Sequence, residues 1–142
     1  MQENFNFSTE ISIRINEINY GGHLGNDSVL SLFQEARLRY LKQFEYSEIL
    51  IGERTSLIMS QAHLNFSAEA FWNDLLKVFV RISKIEKVRF RFDYKIVSSR
   101  DENKIIATGY TDMVGFDYQH KKVKKLPDKF VSAINNFEGS IH

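Results

Sequence analysis

Residues 16–30 read NEINYGGHLGNDSVL, and the way this stretch is parsed decides the rest of the chain. It holds three of the seven glycines and one of the four histidines, set among amide and acid side chains. A helical pattern follows at once: Val29, Leu30, Leu32, Phe33, Ala36, Tyr40, Leu41 and Phe44, with Arg37 among them. The spacing predicts a helix from about Asn26 to Phe44. Asn26 or Asp27 is the expected N-cap, since a short side-chain oxygen accepts from first-turn amides that lack an intrahelical partner. Apolar residues on more than one face predict a largely buried helix, with Gln34, Arg39, Lys42 and Gln43 left exposed.

Upstream, Phe5, Phe7, Ile11, Ile13 and Ile15 fall on odd positions, the period of a half-buried strand. Downstream, Tyr46–Leu50 reads as one more helical turn, and after Gly52 alternation returns four times. The runs are Ile58 to Phe66, Leu76 to Ile82, Val88 to Ile96 and Ile105 to Phe116, with Gly109 and Gly115 marking bulges or close contacts. Pro127 then opens a short terminal helix that carries Phe130, Ile134 and Phe137 on one side. The order strand, long helix, four strands predicts an α+β fold in which a sheet wraps one helix, as a single domain over residues 1–142.

Composition removes several function classes. A net charge of +1 argues against a dedicated nucleic-acid binder. With no cysteine there are no disulfides, thiolate metal sites or cysteine nucleophiles. His63, His120 and His142 are scattered without acids at ligand spacing, so no metal site is expected. No apolar run is long enough to span a bilayer, which makes a cytoplasmic protein without a membrane span the expectation.

Gly22-His23-Leu24-Gly25-Asn26, then Phe33-Gln34-Glu35-Ala36-Arg37 with Tyr40-Leu41, resembles the Gly-His-Val-Asn-Asn segment and Glu-Ala-Arg helix of the hot-dog fold thioesterases. The likeness is to the branch of acyl-CoA and hydroxybenzoyl-CoA thioesterases. Phe66-Ser-Ala-Glu-Ala70, Arg89-Phe-Arg-Phe-Asp-Tyr94 and Ala107-Thr-Gly109 are similar to later parts of the same pattern, which runs from about residue 8 to 130. The resemblance implies an antiparallel five-stranded sheet around a long central helix. It also implies a homodimer with one continuous sheet, or a homotetramer of two such pairs, and hydrolysis of a coenzyme A thioester without a cofactor. In many members of this branch an aspartate three residues before the glycine of Gly-His is nucleophile or base. Here that position is Asn19, which can neither take a proton nor form an anhydride. Other hot-dog thioesterases place an amide in the loop and their carboxylate inside the helix, an arrangement similar to Asn19 with Glu35.

Thioester hydrolysis builds negative charge on a carbonyl oxygen, and a helix start offers oriented amides and the positive end of the dipole. The amide near Asn26 is the candidate oxyanion donor, with Tyr20, Gly22 and Gly25 close to the ligand and Asn19 positioning the carbonyl or a water. Glu35 is the candidate base or nucleophile. It lies about 13 Å along the axis from Asn26, so the two would act together only from different chains; pairing with Arg39 at i+4 is the competing role. Asp27 is a second acid, alternatively a cap, and His23 either contacts the ligand or buttresses the loop. Arg89, Arg91, Lys121 and Lys122 are candidates for the phosphates of coenzyme A, or else a solvated surface. Because the usual aspartate is missing, a non-catalytic thioester-binding or scaffolding protein is the alternative; a hydratase or dehydratase using His23 with Glu35 is the third.

Overall fold

Residues 4–19, 21–22, 24–100, 104–139 and 141 are described by a computed structural model. Tyr20 and His23 lie outside the described residues, as does the side chain of Asn26. The elements run β1 (Phe7–Ser12), a 3-10 turn (Ile15–Glu17), α1 (Asn26–Lys42), β2 (Ser56–Phe66), β3 (Leu75–Ile85), β4 (Arg89–Ser98), β5 (Lys104–Asp117), β6 (Lys122–Val123) and α2 (Asp128–Glu138). All strand pairs are antiparallel, in the order β1-β3-β4-β5-β2 with β6 joined to β5. The expected α+β architecture is present, with a two-residue sixth strand inside the basic run that the sequence did not reveal.

The period-two strand β4 turns Phe90, Phe92, Tyr94 and Ile96 inward, and β3 does the same with Leu76, Val78, Val80 and Ile82. Onto that face α1 lays Val29, Leu32, Phe33, Ala36, Tyr40 and Leu41, all buried. The Phe33 ring stacks on Tyr94 at 4.2 Å between centroids, and Tyr40 meets the edges or faces of Phe7, Phe92 and Phe137. Such offset and T-shaped pairs add to the area they bury. Gly109 allows the Phe33 stack: a Cβ there would stand 2.9 Å from the Phe33 ring and 2.3 Å from the His63 carbonyl oxygen.

Arg37 lies in this apolar layer, only 4% exposed. Its Nε donates to Glu48 Oε1 at 2.7 Å and its Nη1 to the Tyr94 hydroxyl at 3.4 Å, which is 2.6 Å from Thr111 Oγ1. The buried charge is therefore paired and hydrogen-bonded, as it must be to persist there. α2 closes the other end through Phe130 and Ile134, and Glu138 fastens it. One carboxylate oxygen of Glu138 accepts from the Tyr40 hydroxyl at 2.6 Å and from the Ile82 amide at 3.0 Å.

Three local expectations are corrected. The first strand ends at Ser12 and Ile15 is 70% exposed, because the chain turns into the 3-10 segment once Ile13 has bonded to Asp74 and Asn73. The N-cap of α1 is Gly25, with no side-chain cap, rather than Asn26 or Asp27. Residues 46–50 form no helical turn; Glu45 at φ 65° ends the helix, and Glu48 and Ile49 bond instead to the first residues of β2. No helix among the described residues is long and apolar enough to cross a membrane.

The two sheet edges differ. Along β1, Arg39 of α1 donates to Thr9 Oγ1 at 2.7 Å and to the Glu10 carbonyl at 2.9 Å, which engages one main-chain acceptor of that edge. β2 pairs only with β5, and from Met59 to His63 every residue is exposed.

Two stability outcomes follow from this packing. Gly109→Ala should cost about 2–3 kcal/mol, read as a lower denaturation midpoint with an unchanged m-value, because the added methyl would overlap both a main-chain carbonyl and a fully buried ring. Burial pushes the Glu138 carboxyl above the ordinary glutamate range, against the hydrogen bonds from Tyr40 and Ile82. The folded state therefore holds that proton more tightly than the unfolded chain. The associated stability is complete below the ordinary pKa of about 4.3 and is lost as pH rises through the folded value. Glu138→Gln, which cannot ionise, should gain on the parent in unfolding free energy as pH climbs from about 4 toward neutrality.

Candidate active site

The polar stretch between β1 and α1 is closed at its base. The Gly25 amide donates to the Glu17 carbonyl at 3.0 Å, and Ile18 and Leu24 form an isolated antiparallel bridge. The Leu24 amide reaches across to the Ala70 carbonyl at 2.7 Å and docks the loop on the segment after β2. Glu17 is a carboxylate only 5% exposed; its Oε1 accepts from the Arg14 amide at 2.7 Å and stands 3.6 Å from Arg14 Nε. It thereby fixes the 3-10 turn with its side chain and the start of α1 with its main chain. The sequence reading overlooked Glu17, although its signal was present: a second acid-or-amide position two residues before Asn19.

Within the loop, Asn19 Oδ1 accepts from the Gly21 amide at 2.9 Å and the Asn19 carbonyl accepts from Gly22 at 3.1 Å. This is an Asx-type turn, and Gly22 follows in the left-handed region at φ 81°. Gly25 is different. At φ −73° and ψ 146° any residue could adopt its backbone, but a Cβ would stand 2.7 Å from Asp27 Oδ1. A larger residue there would displace the Asp27 carboxylate, its other neighbours standing at ordinary contact distances of 3.6 and 3.7 Å. Asp27 sits in the first helical turn, where the dipole favours an anion.

Asn16, Glu17, Asn19, Gly25, Asp27 and Ser28 line a groove of about 380 Å³ at this helix start. On the other side of Leu24 lies an apolar hollow of about 270 Å³ between Val29, Phe66, Ala68 and Ile106, with Phe66 half exposed at its mouth. A larger groove of about 570 Å³ runs between α1 and β1 past Ile11, Leu32 and Leu38. Its central polar groups are already engaged: Arg39 Nε donates to Glu35 at 2.9 Å while its Nη1 holds β1. The smaller groove is the better candidate for chemistry, because small residues and main-chain amides meet there without a side-chain cap.

The fold brings Asn19, Gly25, Asn26 and Asp27 to one place. Within one chain it does not bring Glu35, which faces the β1 side of α1 in its Arg39 pair. Arg89 and Arg91 stand on the outer face of β4, where Arg89 is 3.7 Å from Glu86 and Arg91 makes two bonds to Asp112 at 2.7 and 3.0 Å. Lys121 and Lys122 lie at the β5–β6 hairpin. Tyr20 and His23 fall outside the described residues. Among the described residues no three His, Asp or Glu converge as metal ligands would.

Residues 13–134 match the family model of the thioesterase-like superfamily. No curated protein sequence matches the chain. Among solved structures, the 1,4-dihydroxy-2-naphthoyl-CoA thioesterase of Synechocystis is similar at TM-score 0.83 and 23% identity, over 93% of this chain and 97% of that one. A DHNA-CoA thioesterase of Staphylococcus aureus is similar at TM-score 0.80 and 22% identity, over 95% of each chain. A second S. aureus protein, solved in complex with CoA, gives TM-score 0.83 at 15% identity over 100% of this chain and 89% of that one. At such identities the solved structures speak for the shared hot-dog architecture, and the family match covers the loop, the long helix and strands β2 to β5. This chain belongs to the thioesterase-like superfamily.

Proposed function

We propose that the chain hydrolyses acyl-CoA or aryl-CoA thioesters to the free acid and CoA. The observation that carries this reading is the groove at the start of α1, where a helix begins at an uncapped glycine beside Asn19 and Asp27. A thioester carbonyl placed on the first-turn amides would have its developing oxyanion stabilised by donors that need no reorganisation. Water then adds to the carbonyl carbon, the C–S bond breaks, and the thiolate of CoA leaves and takes up a proton. Asn19, with its carbonyl and amide partly spent in the turn, positions the ester or the water. Of the two acids read from the sequence, Asp27 lies in this groove, whereas Glu35 is clamped in the neighbouring one. We therefore assign the general base to Asp27. The CoA-bound neighbour supports a CoA thiol, and the naphthoyl-CoA enzymes put aryl esters on the panel beside acyl ones.

The open β2 edge supports a homodimer in which two copies join their sheets. Strand edges attract partners, and the inward-facing Met59, Ala62 and Phe66 of β2 extend an apolar face past the cover α1 provides. The substitution of an amide for the usual acid at position 19 favours one alternative, a protein that binds thioesters without cleaving them.

Free-thiol release from a panel of acyl-CoA and aryl-CoA esters separates these readings, and tight binding with no thiol released would overturn hydrolysis. Asp27→Asn should lower kcat by about 10²-fold or more, the usual worth of a general base. Glu35→Gln should change kcat less than about tenfold; the opposite ranking would move the base to Glu35. Light scattering should give about 33 kDa, twice the chain mass of 16.6 kDa, and the double change Met59→Asp with Ala62→Asp should return it to one chain.

A further inference from the structure

We infer that the tip where β1 leaves the sheet and β3 enters it docks on a phospholipid bilayer by inserting apolar side chains. Ile15, Phe71, Trp72 and Leu75 are all exposed there, Ile15 by 70% and Trp72 by 60%. Main-chain bonds place these residues together. The Ile13 amide donates to the Asp74 carbonyl and the Asn73 amide to the Ile13 carbonyl, each at 3.0 Å, while Ser12 pairs with Leu75.

The tip is fixed in this outward form. Asp74 is buried, and its Oδ2 accepts from the Phe71 amide at 2.9 Å. Its own amide donates to the Phe71 carbonyl at 3.0 Å, which closes a four-residue turn with Asn73 in the left-handed region at φ 67°. Trp72 stands at the crest of that turn. Bonds on both sides of it hold the backbone, so the indole is presented to the surroundings rather than folded onto the core.

Size and charge together select the occupant. Four side chains exposed to this degree present roughly 300–400 Å² of apolar surface, the size of patch that marks a partner or membrane site. A stable protein pair needs about 800 Å² from each member, more than this tip supplies to a second copy. A bilayer asks for no matching shape. Charge at the tip is balanced: Arg14 stands 3.6 Å from Glu17 and Arg100 3.5 Å from Asp74, and Asp101 and Glu102 follow in the sequence. With no cationic excess, the tip complements a zwitterionic surface rather than an anionic one. Tryptophan suits headgroup depth, because its apolar rings carry an N–H donor. Arg100 lies over the Phe71 ring at 5.4 Å, and both exposed arginines can rest their stems on apolar surface with the guanidinium in water.

The tip also adjoins the hollow beside α1. Phe66, Ser67, Ala68 and Glu69 wall that hollow, Ala70 takes the Leu24 amide, and Phe71 and Trp72 follow directly. A docked chain would therefore hold this wall next to the bilayer, into which thioesters with longer acyl chains partition. Delivery of such esters rests on the hydrolase reading given above; the docking itself does not.

Trp72 is the chain's one tryptophan, so its fluorescence reads the tip alone. Phosphatidylcholine vesicles added to the full chain should shift its emission to the blue, and brominated acyl chains should quench it. The double change Ile15→Ser with Leu75→Ser keeps the reporter and should weaken vesicle binding at least about tenfold, with thermal unfolding recorded to show that the variant remains folded. Tyr118→Ser removes a side chain of similar exposure from the β5–β6 hairpin. It should change binding by less than about twofold. Binding should also survive about 1 M salt, where charges are screened within about 3 Å. An unchanged emission, equal weakening by Tyr118→Ser, or loss of binding in salt overturns the docking. A blue shift on concentrating the protein without lipid overturns it in favour of a second copy. With vesicles present, the parent should exceed the double variant in kcat/KM on lauroyl-CoA and match it on butyryl-CoA. Equal values on both esters overturn delivery and leave the docking in place. Failure of the hydrolase reading looks different: neither ester releases thiol, while the fluorescence result stands.

Discussion

The hydrogen bond from the Gly25 amide to the Glu17 carbonyl governs the candidate site. It closes the loop, sets where α1 begins, and leaves the cap position to a residue with no side chain to spend on the first-turn amides. Asp27 then occupies the space that a Cβ at 25 would fill, so the acid and the helix start are brought together by the same omission. The Glu17 side chain braces this from below through the Arg14 amide. One buried acid thus contributes twice, by its carboxylate and by its backbone.

The body of the fold holds that site still. Phe33 on Tyr94 fixes the rotation of α1, and the notch at Gly109 lets the ring sit against the sheet. Arg37 adds a polar anchor in the middle of the apolar layer, which ties the loop after α1 to β4 and β5 through Glu48, Tyr94 and Thr111. An unpaired guanidinium at that depth would cost several kcal/mol, so the network favours one placement of the loop over its alternatives. Tyr40, bonded to Glu138, transmits the same order to α2.

Much of this was legible from the residues. Alternation gave every long strand, and helical spacing gave α1 and the buried face of α2, because those periods are imposed by a single core and nothing local opposes them. The failures sit where main-chain bonds outweigh side-chain pattern. Ile15 continues an odd-position series yet is exposed, since Ile13 has already spent its bonds on Asn73 and Asp74. Asp27 looks like a cap and is not one, because a long-range bond at Gly25 starts the helix earlier. At the site, the glycines and the amide at Asn19 were visible as a cluster. The Glu17 clamp, and the pairing that turns Glu35 toward β1, depend on contacts that no spacing rule encodes.

Arg39 makes the two margins of the sheet chemically unequal. Its guanidinium crosses from α1 to the Thr9 hydroxyl and the Glu10 carbonyl of β1, whereas β2 keeps an exposed run from Met59 to His63. A main-chain acceptor already lent to a helix side chain is withdrawn from the ladder that a further strand would need. The same arginine thus orients Glu35 and blunts the strand beneath it.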